Sequence, residues 1–278
     1  MTYIKSDIKN LYKNKMIRTM QIIFLFVMIA SPISMYFVNT QWDGFIETIG
    51  GHPFQFWLLM DTVSWGNGVY HALFWCFPVI ATGLLYHHER SSSVYELLLI
   101  RNNRKAYFIS KAVSQFVVTF LNFFIGLLIN ILVTYIIYSP NALMTEQYMY
   151  LIPKEGMFAS YFYNINPLCM ILIYTFLNAL TIALLSLFVL ALHEIFVFKN
   201  AYVAFLVPFI ALYIISYLIS LFLADKPNYD FSIMIQPRAA SALVSMIKAQ
   251  YVLYAFFLLV MVDIALLLIG YLRNREVC

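Results

Sequence analysis

Residues 112–137 read AVSQFVVTFLNFFIGLLINILVTYII, an unbroken run without Asp, Glu, Lys, Arg or His. About 20 helical residues cross a hydrocarbon core of about 30 Å, so this run is long enough to span a bilayer. Working outward from it, further runs of the same kind lie near 19–38, 68–86, 169–192, 201–223 and 251–272. Of those five residue types the six runs contain only His71 and Asp263, as expected where an unpaired charge costs at least about 2.5 kcal/mol. Barrel strands would instead alternate in polarity over roughly ten residues. The chain is 63% hydrophobic and 11% charged, against roughly 25% charged in soluble domains. Sequence outside the runs comes in pieces of about thirty residues at most, too short for separate cores. The expected fold is an all-α integral membrane protein of six transmembrane helices, one domain over residues 1–278.

The distribution of cations sets the expected orientation. With the N-terminus inside, thirteen of the seventeen Lys and Arg fall in cytoplasmic segments, and only Lys154, Lys226, Arg238 and Lys248 fall outside. Both termini are therefore expected in the cytoplasm of a bacterial cell, with the chain in its inner membrane. The net charge of +4 reflects this topology and attraction to an anionic lipid bilayer, not a nucleic-acid partner. The first span follows a long basic lead, and its apolar character continues past Ser31 and Pro32, so it is expected to be retained and not cleaved as a signal sequence. Cys76 and Cys169 lie in spans and Cys278 near the end, a spacing that suits neither a metal site nor a disulfide framework.

Three segments are expected at the cytoplasmic face. Within residues 1–18, Ile4, Ile8, Leu11 and Tyr12 share one helical face beside Lys5, Lys9 and Lys13, the pattern of an amphipathic interfacial helix. The same lysines also serve simply to fix topology. In residues 87–105, HHERSSSVYELLLIRNNRK, Ser93 and Glu96 form a capping box that predicts a short helix over 94–100, ended by Arg101 and by Asn102-Asn103. Two turns of Leu-rich helix are marginal alone and need a partner surface, either a protein or the lipid. Residues 193–200 are so few that the fourth and fifth spans form a hairpin; this turn reads as a connector or as a second, smaller contact to a cytosolic partner.

On the outer side, Trp42, Trp57, Trp65, Tyr148, Tyr150, Tyr161 and Tyr163 suggest loops lying in the headgroup region, and residues 239–250 suit a short helix. Asp263 is a functional candidate by its position within a span, or else a protonated or hydrogen-bonded packing residue near Asn122, Asn130 or Asn178. There is no phosphate loop, no H-E-x-x-H and no G-x-S-x-G. His87-His88-Glu89 lacks the i+4 partner of a helical metal site. No metal site and no enzyme activity are expected on this chain.

The run Glu89-Arg90-Ser91-Ser92-Ser93-Val94-Tyr95-Glu96-Leu97-Leu98-Leu99-Ile100-Arg101-Asn102-Asn103-Arg104, followed by Lys111, resembles the permease subunits of type-2 ABC exporters. Those proteins typically place an acidic residue, small residues and an acidic-Leu-Leu run before a basic residue and a Lys opening the third span. The six-span plan, basic N-terminal helix and basic tail are similar too, while Asn102-Asn103 stand where the family often has Pro and Ser. The resemblance implies that residues 87–105 form a coupling helix. Glu89, Glu96, Arg101 and Arg104 would be its polar contacts and Leu97, Leu98, Leu99 and Ile100 its apolar wedge, with Tyr95 also among the coupling residues. It further implies a separate ABC ATPase, two copies of it binding the ATP and Mg, no cofactor on this chain, and pairing with a second copy or a paralogous permease. The implied cargo is hydrophobic or amphipathic, a peptide, lipid or drug, with export of or immunity to antimicrobial peptides as the use. The rival readings are a proton-coupled secondary transporter using Asp263 and a non-transporting membrane scaffold or sensor.

Overall fold

The computed structural model describes residues 2–41, 53–60, 64–91, 104–138, 155–223 and 249–273. All regular structure among them is helical. The elements are α1 (Thr2–Lys13), α2 (Lys15–Gln41), α3 (Pro53–Phe56), α4 (Trp65–Pro78), a π-helical segment (Val79–Leu84), α5 (Leu85–Ser91), α6 (Arg104–Ile137), α7 (Phe158–Tyr163), α8 (Pro167–Ile195), α9 (Ala201–Leu223) and α10 (Ala249–Arg273). Five stretches are long and apolar enough to cross a membrane: Lys15–Phe37, Trp65–Ser91, Lys105–Ile137, Pro167–Ile195 and Val252–Arg273. A shorter apolar helix, Ala201–Ile214, begins α9. By length and composition the chain is a multi-pass membrane protein.

Polar residues set the helix boundaries. Asn14 ends α1 and starts α2, its Oδ1 accepting from Met16 N at 2.8 Å and Ile17 N at 3.4 Å. The basic N-terminal region is thus two helices, and residues 15–18 belong to the first span. Ser64 caps α4 through Asn67 N at 3.2 Å. Asn166 caps α8 through Leu168 N at 2.8 Å, with Pro167 as the first helical residue. Asn200 caps α9 through Tyr202 N at 2.9 Å. Pro78 has no N–H to donate, and the ladder widens immediately after it into the π segment.

In the interior, α8 packs along α6 on one side and α10 on the other. Small residues on α8, among them Ala179, Ala183, Ser186 and Ala191, are buried, which lets neighbouring backbones approach. At the crossing of α2 and α4, Gly66 lies against Ser31 with no room for a Cβ. The core joins Phe24, Tyr70, Phe74, Phe77 and Phe123, with Phe24 and Phe123 4.5 Å apart. Outward-facing Ile22, Phe26 and Phe37 on α2 and Leu253, Phe257 and Leu268 on α10 are exposed, as a hydrocarbon environment favours.

The outer-loop expectation needs one correction. Trp57 does not lie at a surface: with Phe54, Leu58, Leu59 and Met60 it is fully buried in the bundle. Asn130 on α6 explains how an irregular backbone tolerates this. Its Oδ1 accepts from Leu58 N at 3.2 Å, and its Nδ2 donates to the Met28 carbonyl at 2.8 Å. Asn67 Nδ2 donates to the Leu58 carbonyl at 2.9 Å. Both backbone groups of Leu58 are therefore satisfied away from water. Trp65 and Tyr161 are exposed, as expected of interfacial aromatics. Trp42, Tyr148, Tyr150 and residues 239–248 lie outside the described residues.

Candidate functional site

The ends of α1, α5, α8 and α10 and the start of α6 gather at one end of the bundle, here the basic end. Ring contact between Phe108 and Tyr271 at 5.8 Å places the end of α10 beside the start of α6. Segment 92–103, which carries Tyr95, Glu96, Leu97, Leu98 and Arg101 and the Ser93–Glu96 capping box, lies outside the described residues. The helices flanking it, α5 and α6, are described, and Arg104 is the first residue of α6.

A charged assembly joins those flanks. Lys111 Nζ lies 2.7 Å from each oxygen of the Glu89 carboxylate and 3.8 Å from Asp7 Oδ1. Ser110 Oγ donates to Asp7 Oδ2 at 2.6 Å, and Tyr107 OH donates to Glu89 Oε2 at 3.4 Å. One ammonium thus holds two carboxylates from two different helices, fastening α5 and α1 to α6. The Lys111 and Glu89 side chains are 15% and 31% exposed, so solvent screens the pair only in part. Directly inside, Gln115 Nε2 donates to Thr82 Oγ1 at 2.6 Å, tying α6 to the π segment. A small cleft opens among Leu11, Thr82, Glu89, Lys111 and Gln115.

The face of α1 follows the sequence pattern: Ile4, Ile8, Leu11 and Tyr12 are half-buried, while Lys5, Lys9 and Lys13 are exposed. Asp7 sits on the covered face and turns to α6. Sequence reasoning passes over it, although the signal is there: Asp7 is the one carboxylate in the first forty-two residues, on the apolar stripe of a basic helix.

A second polar group holds the other side of α5. Tyr86 OH donates to the Glu194 carboxylate, and the Arg90 guanidinium donates to the His193 carbonyl, with the Glu194 carbonyl at 3.5 Å. These carbonyls end α8, where Phe196 turns extended, so Arg90 places its charge at the negative end of that helix. Glu194 is buried and faces inward, whereas Phe196 and Val197 beside it are exposed. Any outside contact of the turn 193–200 would therefore be made by these apolar residues and not by Glu194.

Asp263 stands apart from both groups. It is 2% exposed on α10, and neither carboxylate oxygen has a hydrogen-bond partner among the described residues. Asn130 and Asn178 are engaged elsewhere, and Asn122 is engaged through its Oδ1 alone, its buried Nδ2 having no hydrogen-bond partner among the described residues. Asn122 accepts from Gln21 Nε2 at 2.8 Å, Asn130 holds Leu58 and Met28, and Asn178 accepts from Tyr70 OH. Two turns further along α10, Gly270 packs against Glu194, where a Cβ would stand 2.8 Å from the Glu194 Cβ. Cys76 and Cys169 are free thiols.

Compared with protein-family models, with curated proteins and with solved structures, the chain matches none.

Proposed function

We propose that this chain is the membrane-spanning subunit of an ATP-driven exporter for a hydrophobic or amphipathic cargo, coupled to a separate ATPase through segment 92–103. The observation that carries this reading is the Asp7–Lys111–Glu89 assembly. A charged clamp from three helices around the base of one short segment is what a force-receiving element needs, because a load applied there reaches α1, α5 and α6 together. In this reading Glu89 anchors the segment as well as contacting the partner. α9 is the fifth of six spans, both termini are cytoplasmic, α1 lies at the inner face of the inner membrane, and ATP and Mg bind on the partner. A second permease, identical or paralogous, completes the path.

Leu98→Asp and Glu96→Arg each test the docking surface. Both should insert into the membrane as the unsubstituted chain does while capturing at least tenfold less ATPase on affinity purification. Undiminished capture by both contradicts the assignment.

A second reading, proton-coupled transport, is favoured by Asp263, a buried carboxylate with no hydrogen-bond partner among the described residues. The exporter reading expects Asp263→Asn to keep ATP-dependent export within about twofold, since the two side chains are nearly isosteric. Loss of transport in that variant, with assembly intact, favours the proton-coupled reading.

A further inference from the structure

Resting on the exporter reading, we propose that Tyr86, Arg90 and Glu194 are positioning residues forming a second transmission route, which carries displacement of segment 92–103 to α8 and α10. The Glu89–Lys111 pair fastens α5 to α6 and α1 and reaches α8 and α10 only at second hand, through the packing of α6, whereas these three residues join α5 to α8 directly.

The geometry of α5 supports the division. Its residue 89 is fastened to Lys111, while residues 86 and 90, a turn apart on the same helix, are fastened to the end of α8. α5 is thus held on two sides by side-chain bonds. On its inner side it is continuous with the π segment, where the ladder departs from α geometry, and such segments yield to bending more readily than a regular helix. Gly83 in that segment lies against His193, where a Cβ would stand 2.9 Å from the ring Cε1, so bending there presses on the end of α8.

From α8 the route continues by packing. The Glu194 Cβ fills the space over Gly270, which is one of three buried residues, with Val252 and Asp263, among the described positions of α10. Most of α10 faces outward, and its packing among the described residues is chiefly against α8, so a shift of α8 is passed to it. A shift of α5 therefore moves the Glu194 carboxylate through Tyr86, the α8 carbonyls through Arg90, and α10 through Gly270.

The test uses the full chain with its co-purified ATPase in nanodiscs, with Cys76, Cys169 and Cys278 replaced by alanine. An environment-sensitive thiol label is placed at Lys9→Cys on α1 or Leu272→Cys on α10, both exposed positions. In the parent protein both labels should change emission between ADP and ATP with vanadate. Tyr86→Phe and Glu194→Gln should each reduce the Leu272→Cys response by more than half while the Lys9→Cys response stays within a fifth of the parent. An unchanged Leu272→Cys response, a silent label there in the parent, or an equal fall at both labels overturns the route. Absence of any ATPase from the preparation overturns the exporter reading itself, before any label is read.

Discussion

Lys111→Glu is expected to destabilise the basic end of the bundle and to release α1 from α6. The change removes two charge-assisted contacts of 2.7 Å to Glu89 and the 3.8 Å pairing with Asp7, and it sets a third carboxylate between them. A hydrogen bond to a charged group contributes about 1.5–3 kcal/mol, and partial exposure reduces what the pair adds. The net loss should be roughly 2–3 kcal/mol, read as a fall of several degrees in the unfolding midpoint of the detergent-solubilised chain. Glu89→Lys in the same chain should recover part of that loss and not all, because Asp7 still faces a carboxylate. Equal stability of the single and the double variant contradicts the pairing. The exporter reading adds that Lys111→Glu lowers ATPase-driven transport more than it lowers membrane insertion.

Asn130→Leu is expected to cost more. Asn130 is fully buried and bonds the backbones of two separate segments, at Leu58 and Met28. Leucine would leave the Leu58 N–H and one Met28 carbonyl lone pair without these partners in a water-free interior. An orphaned buried donor costs about 1–3 kcal/mol, so the sum should be roughly 3–4 kcal/mol. Segment 53–60 should then loosen, which a thiol placed at Leu59 reports as an increased labelling rate in the Leu variant. Unchanged labelling and unchanged unfolding together rule out Asn130 as the latch of that segment.

These two residues show what sequence reveals and what it withholds. The long helices are legible because an uncharged run of over twenty residues has few other uses, and α2, α6, α8, α9 and α10 each contain the run that predicts them. Asp263 is legible for the converse reason: a carboxylate is conspicuous in an apolar run. Lys111 and Glu89 stand out through the motif around segment 92–103, but their mutual contact does not, since the pairing depends on how α5 and α6 return to one end. Asp7 is harder still, because one acidic residue on a lysine-rich helix reads as part of a solvated face until a partner across the fold is known. Tyr86 and Glu194 are 108 residues apart, and no local pattern links them. Trp57 misleads because tryptophan in a connecting segment usually marks an interface; here an asparagine on another helix satisfies the backbone beside it, and that lowers the cost of burying the segment although the Trp57 indole N–H has no partner among the described residues.

Coupling to a separate ATPase is tested by purification of the tagged chain from its native host in mild detergent, with mass spectrometry of whatever accompanies it in stoichiometric amount. An ATPase carrying a phosphate loop is the expected companion. A chain that comes alone, or with partners that bind no nucleotide, contradicts the coupling.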